Sequence, residues 1–122
     1  MCEAIGADRV GIRISPFSKF QDMREDDPLA VFEPFSREIV SHQPKLAYVH
    51  AVEGRVSGSS DAAEKSREPT DTLDSIREIV TKAGVTFMVA GGYKADSALE
   101  RTEDTDDLVA FGRYFIGELI SC

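Results

Sequence analysis

The chain has 122 residues, of which 42% are hydrophobic and 30% are charged, so it can bury a core and has a globular composition. We expect residues 1–122 to form one small domain or part of a larger one. The net charge of −8 argues against nucleic acid or an anionic membrane as a partner, because both require a basic face. No apolar run approaches the roughly 20 residues of a membrane span, and no cleavable leader opens the chain. We therefore expect a cytoplasmic protein.

The two cysteines, Cys2 and Cys122, lie at opposite ends of the chain. We expect both to be free thiols, because chain ends give no reason to expect a bridge. No Cys-x-x-Cys or Cys/His spacing is present, so no metal site is predicted.

The first half of the chain predicts strand, helix, strand. Residues 8–15 alternate aliphatic and polar side chains, which is typical of a strand. Residues 28–42 carry apolar side chains at helical spacing after Pro28, although Pro34 lies inside and could delay the start. Residues 46–52 are nearly all apolar, which predicts a strand buried on both faces of a parallel sheet.

The second half predicts two further β/α units after a long polar connection. Residues 53–69 show no periodicity and favour a lid or a disordered loop. Thr70 and Asp71 are predicted to cap a helix that ends before Gly84. The remaining predicted elements are a strand at 85–90, a short helix at 95–101 and a strand at 107–111.

This alternation of strands and helices predicts an α/β fold with parallel strands. Four such units form half of an eight-stranded β/α barrel, and they are also compatible with an open doubly wound sheet.

Glycines and an arginine follow the last two predicted strands. Gly91 and Gly92 follow one strand, and Gly112 and Arg113 follow the next. Glycine lets the backbone approach an anion closely, helix N-termini favour negative charge, and arginine binds phosphate with two parallel hydrogen bonds. Together these residues predict a phosphate site, the kind that β/α barrels form after strands seven and eight.

Two polar residues of the predicted strands, Arg13 and His50, each have two possible interpretations. Arg13 points away from the aliphatic face of its strand, so it requires either a carboxylate in a salt bridge or an anionic ligand. His50 is predicted to be a satisfied core residue rather than a catalytic one.

Four ordered blocks resemble the old yellow enzyme family, the FMN-dependent ene-reductases related to 12-oxophytodienoate reductase, in a form similar to fungal members. The blocks are VGIRISPFSKFQDM, LAYVHAVEGR, FMVAGGY and DLVAFGRYFI. The resemblance implies that the chain supplies strands five to eight, the C-terminal half, of a TIM-type (β/α)8 barrel. It also implies FMN as cofactor, NADPH or NADH as reductant, and an enone or enal substrate.

The resemblance assigns the cofactor-binding residues one by one. Arg13 matches the arginine beside the flavin ring, Gly91 and Gly92 match a pair at the FMN phosphate, and Gly112 with Arg113 matches the pair whose arginine binds that phosphate. The family residues that bind the substrate carbonyl and protonate the substrate match no position here, so no catalytic residue is expected. The family's Glu-Pro-Arg is replaced by Glu53-Gly54-Arg55, and the family's Asn-Pro-Asp-Leu after the last strand is replaced by GELISC.

Three hypotheses follow from the sequence. The first is a C-terminal portion of an ene-reductase that keeps part of the FMN site and is inactive alone. The second is a non-catalytic half-barrel that self-associates or pairs with a separate N-terminal half, since uncovered strand edges and apolar surfaces drive association. The third is an unrelated phosphate-binding β/α-barrel enzyme.

Overall fold

A computed structural model describes residues 1–54, 56–57, 60–61, 71–112 and 115–116. The helices of the described part are α1 (Cys2–Ile5), α2 (Pro28–His42), α3 (Asp74–Lys82) and α4 (Ala95–Asp104). Its strands are β1 (Gly11–Ile14), β2 (Tyr48–Val52), β3 (Val56–Ser57), β4 (Ser60–Asp61), β5 (Phe87–Ala90) and β6 (Leu108–Ala110). None of the described helices combines the length and the apolar character that crossing a membrane would require.

Four of the strands form one parallel sheet in the order β1-β2-β5-β6. The predicted α/β architecture with parallel pairing is therefore confirmed. Strands β3 and β4 form a separate two-stranded antiparallel pair. That pair lies within residues 53–69, where no regular structure was predicted, and most of that segment lies outside the described residues.

Helix α2 begins and ends where its sequence predicts. The Asp27 side chain accepts a hydrogen bond from the backbone N–H of Ala30 at 3.1 Å, and Pro28 occupies the first turn. These two features start the helix because the cap satisfies a free N–H and proline fixes a helical φ. Pro34 lies inside the helix without delaying its start.

Helix α3 begins later than predicted, and the predicted cap at Asp71 is wrong. The helix starts at Asp74 with Leu73 as its cap residue, and no side chain caps it. Asp71 instead accepts two hydrogen bonds from the guanidinium of Arg24, at 2.8 and 3.0 Å. Asp71 is buried, so this ion pair fastens the loop after β1 to the segment before α3.

The two faces of the main sheet differ sharply in burial. One face packs against the helices in a single apolar core, whose strand residues include Ile14, Val49, Ala51, Phe87 and Val89. On the opposite face, the sheet register aligns Arg13, His50, Met88 and Leu108 in a row across the four strands. We call these four residues the open-face row. Arg13 and Leu108 are exposed, and none of the four belongs to the described core.

A buried carboxylate holds the start of β6 against two helices. Asp107 has a side chain only 1% exposed, and it pairs with Arg77 of α3 and Arg101 of α4, each at 2.8 Å. Two arginines on one carboxylate satisfy it inside the protein. This cluster therefore fixes the position of β6 and of the loop that follows it.

The described cysteine, Cys2, is a free and partly buried thiol. Cys122 lies outside the described residues.

Candidate functional site

The carboxyl ends of the parallel strands meet at one edge of the sheet. Val52 of β2 pairs in register with Ala90 of β5, and Ala90 pairs with Ala110 of β6. The next residue along β2, Glu53, donates its backbone N–H to the carbonyl of Ala90 at 2.8 Å. The glycine turns after β5 and β6 therefore start from the same level, which is the edge where parallel sheets bind ligands.

Arg13 lies at this edge and lines a pocket of about 310 Å³. The other lining residues are Ser15, Ser18, Phe20, Met23, Val52 and Glu53. Within the part of the chain that the structure describes, no carboxylate forms an ion pair with Arg13. The salt-bridge interpretation of Arg13 therefore finds no described partner.

The turn after β5 requires glycine for two separate reasons. Gly91 has a φ of 134° and Gly92 a φ of 64°, a region that other residues rarely adopt. In addition, a Cβ atom on Gly91 would lie 2.8 Å from the Cβ of Glu53 and 3.2 Å from its backbone nitrogen. The loop after β2 thus packs directly against this turn.

The turn after β6 is open. A Cβ atom on Gly112 would meet nothing within 4 Å, so this glycine leaves free space beside the backbone. The carbonyl of Gly112 accepts a hydrogen bond from the N–H of Ile116 at 3.3 Å. Arg113, the predicted phosphate ligand, lies outside the described residues.

Glu53 is a site residue that the sequence prediction did not include. It lines the pocket of Arg13, and its Oε1 accepts a hydrogen bond from the hydroxyl of Tyr93 at 3.1 Å. Tyr93 follows the Gly91-Gly92 turn, so the contact joins two strand ends that are far apart in sequence. The sequence signals were a carboxylate directly after a strand and its match to the glutamate of the family's Glu-Pro-Arg.

His50 lies beside Arg13 in the sheet register and is half-buried. Its Nε2 atom is buried without a hydrogen-bond partner among the described residues, so the prediction of a satisfied core histidine is wrong. Burial lowers the pKa of His50, and the neighbouring positive charge of Arg13 lowers it further. Both effects favour the neutral imidazole, which avoids a second positive charge beside Arg13.

Comparison with known sequences identifies the family. Residues 1–119 match the sequence model of the NADH:flavin oxidoreductase / NADH oxidase family. The chain belongs to this family. The resemblance predicted from the four sequence blocks is confirmed, and the alternative of an unrelated phosphate-binding barrel is removed.

The chain is similar to two fungal members of this oxidoreductase family. It is 39% identical over 124 residues to the flavin oxidoreductase hxnT of Emericella nidulans, which covers 93% of this chain and 32% of that protein. It is 42% identical over 118 residues to the chanoclavine-I aldehyde reductase fgaOx3 of Penicillium roqueforti, covering 93% and 30%. The chain thus spans about a third of the length of these relatives.

A solved structure of an old yellow enzyme supports the fold of this chain. The enzyme from Trypanosoma cruzi is 27% identical and superposes with a TM-score of 0.72, covering 94% of this chain and 27% of that one. The four parallel strands with their helices are therefore part of a TIM-type barrel. That they are strands five to eight remains a prediction from the order of the four sequence blocks.

The burial of His50, together with the neighbouring positive charge of Arg13, makes the stability of the chain dependent on pH. The pKa of His50 in the folded chain lies below its usual value of 6.5, so the unfolded chain binds more protons at mildly acidic pH. The contribution of neutral His50 to the free energy of unfolding is then fully present above pH 6.5. It is lost as the pH falls towards the pKa of His50 in the folded chain. The slope cannot exceed about 1.4 kcal/mol per pH unit, the limit for one proton.

Thermal unfolding between pH 5 and 8 measures this dependence. We expect His50→Gln to be less sensitive to acid than the natural chain, with His42→Gln as the control at the exposed histidine of α2. Equal acid sensitivity of the two variants would contradict the role given to His50.

Proposed function

We propose that this chain supplies the FMN-binding side of an NAD(P)H-dependent oxidoreductase that reduces the C=C bond of α,β-unsaturated carbonyl compounds. The observation that carries the proposal is Arg13. Its exposed side chain lies in a pocket at the carboxyl-end edge, and no described carboxylate neutralises it. In a family of flavin oxidoreductases, such a cation is suited to the electron-rich edge of the flavin ring.

The glycine turns fit the phosphate of FMN. Gly91 and Gly92 have left-handed backbone angles, and the space beside Gly112 lets an anion approach the backbone. Neighbouring backbone N–H groups in such turns form concave sites for anions. Arg113, directly after Gly112, would add a bidentate contact to the phosphate.

The chain's own residues would hold the cofactor at its two ends. Arg13 would stabilise negative charge on the flavin ring, and Gly91, Gly92, Gly112 and Arg113 would bind the phosphate. Bound FMN would supply hydride transfer between NADPH or NADH and an enone or enal. The family's residues for the substrate carbonyl and for proton donation match no position in these 122 residues. We therefore expect the chain alone to bind flavin without turning over an enone.

Titration of the purified 122-residue chain with FMN tests this proposal. Binding is expected to quench flavin fluorescence and to shift the visible absorption bands. Albumin at the same concentration serves as the control for nonspecific quenching. Absence of binding at millimolar FMN would contradict the proposed flavin site.

The open-face row favours a second candidate, a half-barrel that pairs with a second copy or with a separate N-terminal half. Leu108 in this row is 48% exposed, and apolar surface of this kind favours association. Sedimentation velocity on the FMN titration samples separates the candidates. A dimer that binds no flavin would favour the half-barrel, whereas a monomer that binds FMN would favour the flavin site.

A further inference from the structure

One wall of the Arg13 pocket comes from the sheet, and the other comes from the loop after β1. The loop contributes Ser15, Ser18, Phe20 and Met23. Phe20 and Met23 are large and apolar, and each is more than half exposed. A flat ring system that entered the pocket would cover them. The position of the loop therefore decides the shape of the pocket at the end of the site where the flavin ring is proposed to lie.

The backbone of this loop is strained between Phe20 and Met23. Gln21 has a φ of 52° and Asp22 a φ of 60°, so two consecutive residues other than glycine adopt left-handed angles. Such angles are costly, and they persist where the surrounding contacts enforce them. The loop therefore requires a fixed attachment to keep Phe20 and Met23 in place along the pocket.

Arg24 supplies that attachment at the end of the loop. Its guanidinium donates two hydrogen bonds to the buried carboxylate of Asp71, at 2.8 and 3.0 Å, and a longer one of 3.5 Å to the carbonyl of Phe17. Phe17 is buried in the core, and the guanidinium lies 5.9 Å from the centre of its ring. Arg24 thus joins both ends of residues 17–24 to the packed part of the fold.

We propose that Arg24 and Asp71 are positioning residues, which hold the loop after β1 in the shape that binds a flavin ring beside Arg13. The inference rests on the proposed function, because the ring is that of FMN. Neither Arg24 nor Asp71 is among the described residues that line the pocket. Both therefore act through Phe20 and Met23 and not by touching the flavin.

Binding of riboflavin and FMN to Arg24→Ala tests the proposal, because the two flavins share the ring. Without the attachment, Phe20 and Met23 have to be ordered during binding, which should raise both dissociation constants about tenfold. Arg37→Ala is the matched control, since it removes the same charge from an exposed ion pair. Its affinity for riboflavin should stay within about twofold of the natural chain.

The double variant Arg24→Ala with Asp71→Ala separates positioning from stability. Arg24→Ala alone leaves the Asp71 carboxylate buried without its arginine, which destabilises the fold. The double variant removes that charge and should regain most of the lost melting temperature. Its affinity for riboflavin should remain about tenfold weakened, because the loop is still unattached. Recovery of riboflavin affinity together with the melting temperature would overturn the positioning role.

The carbon-13 signal of the Met23 methyl group reports on the loop without any flavin. We expect the single and the double variant to move this signal towards its value in the denatured chain, whereas Arg37→Ala should leave it in place. An unchanged Met23 signal in both variants, or an unchanged riboflavin affinity, would overturn the inference. If the natural chain binds neither flavin, the proposed function fails, and the Met23 signal still decides whether the ion pair holds the loop.

Discussion

Replacing Arg113 with alanine is expected to weaken FMN binding on the order of 100-fold, the effect of losing a charge-assisted bidentate contact with a phosphate. Riboflavin, which has no phosphate, should bind as before. The reason lies in the sheet register, because Ala90 and Ala110 align the ends of β5 and β6. Arg113 lies outside the described residues, and in the sequence it follows the last residue of β6, Ala110, by three positions. Fluorescence titration with both flavins measures the difference.

Arg37→Ala is the matched control for this prediction. Arg37 is an exposed arginine of α2, paired with Glu33 at 3.3 Å, and its removal changes the net charge by the same amount. An equal loss of FMN affinity in both variants would show that the loss comes from long-range electrostatics and not from a contact with the phosphate. An equal loss of FMN and riboflavin in Arg113→Ala would contradict a contact with the phosphate.

Replacing Asp107 with alanine is expected to lower the free energy of unfolding by about 3–5 kcal/mol, because it leaves two partly buried arginines without their partner. Arg77 and Arg101 both lie 2.8 Å from this carboxylate, and their side chains are 27% and 21% exposed. For a chain of this size the melting temperature should fall by roughly 10–20 °C. Thermal unfolding followed by circular dichroism measures it.

Asp106→Ala is the control for Asp107→Ala, because Asp106 is exposed and its replacement removes the same charge. Its effect should stay within about 0.5 kcal/mol, as for most surface substitutions. Similar melting temperatures for the two variants would show that the arginine cluster does not hold β6 in place.

The sequence predicted the elements whose signals are local. Helix α2 was placed correctly because Pro28 and the apolar spacing both act within the helix itself. The side of β1 that carries Arg13 followed from the alternation of Val10, Ile12 and Ile14 along the strand. Helix α4 extends to Asp104, three residues beyond the predicted end at Arg101, because no helix-stopping residue intervenes.

The contacts that the sequence did not predict join residues far apart in the chain. Asp71 was expected to cap α3, but Arg24, 47 residues earlier, occupies both of its oxygens. A Cβ on Gly54 would lie 3.0 Å from the Cβ of Asp71, so a bulkier residue there would press on the ion pair. This contact gives a physical reason for glycine at the position where the resemblance expects proline.

The residues of the candidate site also differ in whether their signal is local or depends on residues far away in the chain. Gly91, Gly92 and Gly112 were predicted from strand ends and glycine chemistry, whereas Arg13 was assigned to the site only by the family resemblance. All four lie towards one edge of the sheet. Glu53 was not predicted as a site residue because its contacts, with the hydroxyl of Tyr93 and with the turn at Gly91, join it to residues about 40 positions later. No local pattern contains that information.

Backbone amide chemical shifts during titration with the two flavins test the central claim most directly. We expect FMN to shift the amide signals of Gly91, Gly92 and Gly112 together with the guanidinium signal of Arg13. Riboflavin should shift the Arg13 signal and leave the three glycines nearly unchanged. Glycine signals that respond equally to both flavins, or to neither, would contradict a phosphate site at this edge of the sheet.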